Sequence, residues 1–126
     1  MNMPEHFKLK PDYGYYRPVK TVSLQEAIDL ISSAIAFCAD QQIRKLLVNA
    51  AGLTGFEPPA VSDRFFLASQ FAKAAKSLVS VAMVVRPELI HPEKFGVVVA
   101  RNRGLKADVF ASEAEAEAWL LTFDLR

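Results

Sequence analysis

The sequence predicts an α/β domain: a mixed sheet of about five strands with four helices, in the order ββαβαβαβα. Two short apolar runs, KLLVNA at 45–50 and LVSVAMVV at 78–85, are nearly free of charge, as parallel strands covered on both faces are. Apolar residues elsewhere recur at steps of three and four, the helical period. Strand-like and helix-like segments alternate, which implies α/β layering with the later strands parallel. Right-handed crossovers then restrict the topology. With 126 residues and no linker, low-complexity tract or internal repeat, residues 1–126 read as a single domain, since domains commonly run ~100–150 residues.

The chain opens as a hairpin, with strands at 6–10 and 15–22 around the turn cluster Lys10-Pro11-Asp12-Tyr13-Gly14. Proline fixes φ in such a turn and glycine permits positive φ. Pro18, inside the second strand, cannot donate to a ladder, which points to an edge or a bulge. Ser23-Leu24-Gln25-Glu26 is a capping box. It precedes a stripe of Leu24, Ala27, Ile28, Ile31, Ala34, Ile35 and Cys38, which predicts a helix over 24–41 with Asp29, Ser32 and Ser33 facing water. The strand 45–50 leads into a loop with two glycines, and Pro58 and Pro59 suit the entry of a second helix over 59–76. Phe65, Phe66, Ala68, Phe71, Ala72 and Ala75 supply its apolar side. The strand 78–85 is closed by Arg86-Pro87-Glu88. A third helix is expected over 92–103, with Gly104 just past its end; its three successive valines disfavour helix slightly. A last strand, 106–110, precedes a second capping box, Ser112-Glu113-Ala114-Glu115, and a terminal helix through Leu121 whose Ala116, Trp119 and Leu120 face inward.

Composition narrows the function classes. Hydrophobic residues make up 52% and charged residues 23%, which excludes intrinsic disorder. The net charge is +1, so the basic excess of a nucleic-acid binder is missing. One cysteine cannot build a disulfide framework within the chain. The most apolar run, 27–39, contains Asp29 and two serines and is shorter than the ~20 residues of a transmembrane helix. Residues 1–10 lack the apolar core of a secretory signal, so a cytoplasmic protein is expected.

Three segments carry a resemblance to a known family. They are Leu46-Leu47-Val48-Asn49 followed by Gly52-Leu53-Thr54-Gly55-Phe56, then Val81-Ala82-Met83-Val84-Val85, and finally Ala107-Asp108-Val109-Phe110 with Ser112-Glu113-Ala114-Glu115-Ala116 and Ala118-Trp119-Leu120. With the element order, these make the chain resemble the STAS superfamily, the anti-sigma-factor-antagonist fold, and within it the SpoIIAA-like group of small bacterial proteins. The resemblance implies that fold over essentially the whole chain and a role in signalling through protein–protein contact. Regulatory STAS domains carry an aspartate and then a phosphorylatable serine before a glycine at the start of the second helix. Here that place reads Phe56-Glu57-Pro58-Pro59-Ala60, so their phosphorylation switch does not carry over. Thr54, earlier in the loop, and Ser62, in the first turns, remain as phosphorylation candidates. A phosphate on Ser62 would lie near a helix N-terminus; the alternative is a solvent-facing residue beside Asp63.

Ligands of open α/β sheets bind beyond the C-terminal ends of parallel strands, where the loops 51–58 and 86–91 fall. Asn49, Thr54, Arg64, Arg86 and His91 are therefore ligand-binding candidates. Thr54 offers a hydroxyl, Arg86 a forked cation and the second helix its first amides, a set that suits a small anion or a lipid headgroup. The alternative is that Arg86 and Glu88 form a surface ion pair and the glycines serve tight turns. Gly52-x-x-Gly55 is neither a P-loop nor a dinucleotide fingerprint, and no cofactor is expected. His6 and His91 have no partners at metal-ligand spacing, and Cys38 lies on an apolar stripe as a structural thiol. Arg101, Arg103 and Lys106 complement the dipole at the end of the third helix. Glu113, Glu115 and Glu117 read as a solvated face. If exposed, Phe56 or Phe66 would mark a partner or lipid surface; the alternative is that all the phenylalanines pack in the core. Tyr13, Tyr15 and Tyr16 could serve the edge of a homodimer. No acid–base pair, metal cluster or activated nucleophile stands out, so an enzyme is not expected. The leading expectation is a non-enzymatic STAS-like regulatory or protein-interaction module, open to tuning by a small ligand. The alternative is a carrier or sensor of a small apolar, lipid-like or anionic ligand at the C-terminal end of the parallel strands.

Overall fold

A computed structural model describes residues 3–124. Its main sheet begins with the hairpin strands β1 (Phe7–Leu9) and β2 (Gly14–Tyr16), which pair antiparallel. The expected longer second strand ends at Tyr16, because Pro18 has no N–H with which to continue the ladder. The chain leaves the sheet there and forms β3 (Lys20–Thr21), which pairs in parallel with β5 (Leu53–Thr54) in a separate two-stranded sheet. Helix α1 (Leu24–Asp40) follows Ser23, whose Oγ accepts from the Glu26 N–H while the Glu26 carboxylate accepts from the Ser23 N–H. That closes the capping box read from the sequence.

Strand β4 (Lys45–Asn49) pairs in parallel with β2 on one side and with β6 (Ser80–Val84) on the other. Between them runs α2 (Val61–Ala75). It starts two residues later than expected: Pro58 and Pro59 stand before the helix, and the Asp63 carboxylate accepts from the Ala60 N–H at 3.1 Å. After β6 a short 3-10 turn, Pro87–Leu89, precedes α3 (Phe95–Asn102). This helix also starts late, since Lys94 occupies the left-handed region at φ 48°. Gly104, at φ 88°, turns the chain beyond its end, as a residue past a helix C-terminus often must. Strand β7 (Ala107–Phe110) adds in parallel to β6, and α4 (Glu113–Leu121) closes the chain with a terminal 3-10 turn, Thr122–Asp124.

The five-stranded sheet has the order β1-β2-β4-β6-β7. Each parallel connection steps to the next strand in the same direction. Crossovers of one hand then place their helices on one face. The packing agrees: α1, α2 and α3 lie side by side, while α4 covers β4, β6 and β7 from the other face. The pleat divides the strand residues between two cores. Leu46, Val48 and Val81 point towards α1–α3, with Tyr16 and Phe7 of the hairpin. Leu47, Ala82 and Val84 point towards Ala116 and Leu120 of α4.

Not every apolar residue went where its period suggested. Phe65 and Phe66 of α2 are 47% and 43% exposed, and Leu78 stands outside β6 at 57%. Ser32 is half-buried rather than turned to water.

Gly55 decides how β5 returns to the chain. Its φ is 102°, and a Cβ there would stand 2.6 Å from the Val22 carbonyl oxygen. Gly55→Ala is therefore expected to destabilise the fold by about 1–3 kcal/mol, measured as a lowered urea midpoint with an unchanged slope.

Candidate functional site

Small side chains line a cavity between the sheet and the helices α1–α3. Ala27 on α1, Ala68 on α2, and Gly96 and Ala100 on α3 all face the space above the sheet. Interiors normally fill to close packing; here the helices stand apart over a void of about 150 Å³. Its floor is apolar, from Ile28, Ile31, Phe71, Val81 and Met83. Its mouth is made of half-buried residues from three segments: Pro59 and Arg64 at the start of α2, Leu89, Ile90 and His91 after β6, and Lys94 before α3. This is the C-terminal end of the parallel strands.

Of the five ligand-binding candidates, the structure brings Arg64 and His91 into this lining. The Arg64 Nε donates to the Pro59 carbonyl at 3.0 Å and its Nη1 to the Leu89 carbonyl at 3.1 Å. One guanidinium thus ties the entry of α2 to the turn after β6. His91 Nδ1 accepts from the Glu93 N–H at 3.0 Å, and its ring tilts against Phe95. The other three candidates lie elsewhere. Asn49 serves the opposite face: its Nδ2 donates to Glu113 Oε2 at 2.7 Å and its Oδ1 accepts from the Ala51 N–H. Thr54 is exposed on β5, 3.3 Å from the Thr21 hydroxyl. Arg86 lies 3.8 Å from Glu88, the ion pair that was its alternative reading, and does not line the cavity. Ser62 is exposed in the first turn of α2.

Sequence reasoning missed two residues at this mouth. Asp108 of β7 accepts from Lys94 Nζ at 2.8 Å and lies 3.4 Å from Arg101. Lys94 also stands over the Phe110 ring. Arg101 and Lys94 flank α3 one helix turn or more apart, a spacing that a carboxylate on the neighbouring strand could have exploited. The pairing itself depends on the strand register and is not visible in the chain. Arg103 lies over the exposed Phe65 ring, 4.9 Å from its centroid.

No protein-family model, curated protein or solved structure matches this chain. Its functional reading therefore rests on its own residues. Among the described residues no group of three His, Cys, Asp or Glu side chains is placed to hold a metal ion, and no helix is long and apolar enough to cross a membrane. Cys38 is fully buried, and burial pushes its thiol up to about 12, so it carries no thiolate at neutral pH.

The opposite face holds a second polar constellation, where a solvated acidic face was expected. The Tyr13 hydroxyl donates to Glu117 at 2.6 Å, and the Tyr15 hydroxyl donates to Glu113. Tyr13, just before β2, and Tyr15 within it are two residues apart and point to one side of the extended chain, and glutamates four apart share one face of α4, so the two pairs match. Only Glu115 stays with its own cap, where it receives the Ser112 hydroxyl. Lys10 lies over the Tyr15 ring, 4.5 Å from the centroid. Tyr13 and Tyr16 are buried within the subunit and Tyr15 is half-buried, so these rings do not form an open edge.

Burial, together with the bond to Glu113, pushes the Tyr15 phenol up to about 12, and burial with the bond to Glu117 pushes Tyr13 up. Partial burial raises the Glu113 carboxyl, but bonds from Tyr15 and Asn49 and the cations Arg17 and Lys10 outweigh it, so the group ends below its usual range. The signs follow. Raised phenols stabilise the fold below the free phenol value of ~10 and lose that contribution as pH rises beyond it. A lowered carboxyl stabilises above the free value of ~4.3 and loses its contribution as pH falls. Denaturant midpoints should therefore decline on both sides of this window. Tyr13→Phe and Tyr15→Phe should each cost about 1 kcal/mol at pH 7 and shrink the alkaline decline. Absorbance at ~295 nm should show the folded tyrosines still neutral well above pH 10.

Proposed function

We propose that this chain is a non-enzymatic, STAS-like module that senses a small apolar ligand in the cavity between the sheet and α1–α3, and signals through the outer face of α2. One observation carries this reading. The inner face of α2, with Arg64, Leu67, Ala68 and Phe71, lines the cavity, while Phe65 and Phe66 on the same helix are exposed. A ligand that wedges between α2 and the sheet changes the position of a helix whose outer face presents the exposed Phe66 and, beneath Arg103, the exposed Phe65 to a partner. Exposed aromatic residues are typical anchors of protein interfaces.

The STAS-like kinship is supported by the order of strands and helices, by the single-step parallel ladder and by the closing helix on the opposite face. With that kinship comes a bacterial, cytoplasmic signalling setting. The aspartate and serine-glycine pair of the regulatory domains are missing at residues 56–60, which favours a ligand over a phosphate as the input; Ser62, exposed in the first turn of α2, is the residue a phosphate would use instead. Transport of a ligand is the second reading; the mouth beside His91 serves loading as well as sensing.

An apolar cavity of this volume admits benzene in a well-studied engineered case. Benzene added to ¹⁵N-labelled protein is therefore expected to shift amides of α1, α2 and α3 that face the cavity, and those of Phe65 and Phe66 with them. Ala68→Leu, checked for folding by circular dichroism, should fill the void and abolish the shifts. Wild-type spectra that stay unchanged at saturating benzene would sink the proposal.

A further inference from the structure

We infer that the cavity's ligand is a compact monoanion: an apolar body of about benzene size carrying one carboxylate, held by Arg64 at the mouth. This rests on the cavity being a ligand site, as proposed above, and adds the ligand's size and charge.

Charge gives the first argument. Arg64 donates to two neutral main-chain carbonyls, and among the described residues no carboxylate pairs with it. Its neighbour Lys94 is already answered by Asp108 at 2.8 Å. Arg64 thus places an uncompensated cation, half-buried, beside an apolar void. A guanidinium has five N–H donors, and two of them are used here. The rest form a fork suited to a carboxylate. His91 adds a donor: its Nδ1 accepts from the Glu93 N–H, which in the neutral ring leaves the proton on Nε2.

Volume gives the second argument. A void of about 150 Å³ matches the size that takes up benzene or xenon. It has no room for the whole tail of a long-chain fatty acid. A carboxylate could arrive on a short free acid or at the end of a long lipid chain; a cavity of this size seats the short acid whole, whereas a long chain would have to extend out of its open side.

Calorimetric or NMR titration of the full chain with 3-phenylpropionate, 3-phenylpropan-1-ol, laurate and benzene separates the possibilities. Phenylpropionate should bind roughly tenfold more tightly than the alcohol, as expected for one charge-assisted contact, and more tightly than laurate. Arg64→Gln retains amide donors for the Pro59 and Leu89 carbonyls but removes the charge. It should erase the preference for the acid over the alcohol while benzene binding persists. Equal affinity of acid and alcohol in the wild type overturns the anion assignment and leaves the cavity reading standing. So does a preference for the acid that survives in folded Arg64→Gln. Tighter binding of laurate overturns the size assignment and points to a lipid chain. Failure of benzene as well as the acid removes both proposals. If Arg64→Gln does not fold, the wild-type ratio of acid to alcohol decides the matter alone.

Discussion

The whole arrangement depends on the parallel pairing of β4 with β6. These strands sit at the centre of the sheet, with Leu46 opposite Val81 and Leu47 opposite Ala82. Apart from polar end residues, both strands carry apolar side chains on both faces, most of them buried. A sheet covered on one face only would leave half of these side chains in water, so helices must pack on both faces. Three crossovers cover one face, and the terminal helix covers the other. A slip of one residue would exchange the two sets of side chains. It would offer Leu47 to a core shaped around Leu46, and the Tyr–Glu pairs of the far face would lose their alignment.

The two faces have different characters because their helices carry different side chains. Residues of α4 that meet the sheet are either apolar, Ala116 and Leu120, or glutamates matched by tyrosine hydroxyls. That face pairs Tyr13 with Glu117 and Tyr15 with Glu113. It joins the first hairpin to the last helix, about a hundred residues apart. Such long-range bonds tie the two chain ends into one cooperative unit. The other face is built from three helices whose alanines and glycine line the cavity. There the close packing is relaxed into a cavity, and a single arginine bridges the two segments at its rim. The larger hydrophobic core lies on the α1–α3 side, and the long-range tyrosine–glutamate pairs lie on the α4 side.

Much of this was legible in the chain. The capping box at Ser23 and Glu26, the stripe that follows it, the charge-poor runs of β4 and β6, and the positive φ at Gly104 are local properties, and each appeared where expected. Where the reading failed, a local signal met a non-local one. Pro18 signalled an edge or a bulge, but it ends β2 and releases β3 to pair with β5. Phe65 and Phe66 carry the same hydrophobicity as Phe71, yet only Phe71 is buried. Hydrophobicity says that a residue gains from burial; it does not say which side of a helix the sheet will occupy. Glu113 and Glu117 looked like a solvated face because their partners stand on the first hairpin.

The candidate site shows the same division. Loop position at the end of parallel strands selected Arg64 and His91 correctly as neighbours of one space, and also selected Asn49, Thr54 and Arg86, which face elsewhere. By itself the sequence determined the alternation of elements and most of their boundaries, because periodicity, capping and turn chemistry act over a few residues. Only the tertiary structure decided which face each side chain meets, how far the helices stand from the sheet, and which charges find partners. Those are properties of strand register and helix packing, which are set by contacts between residues far apart in the chain.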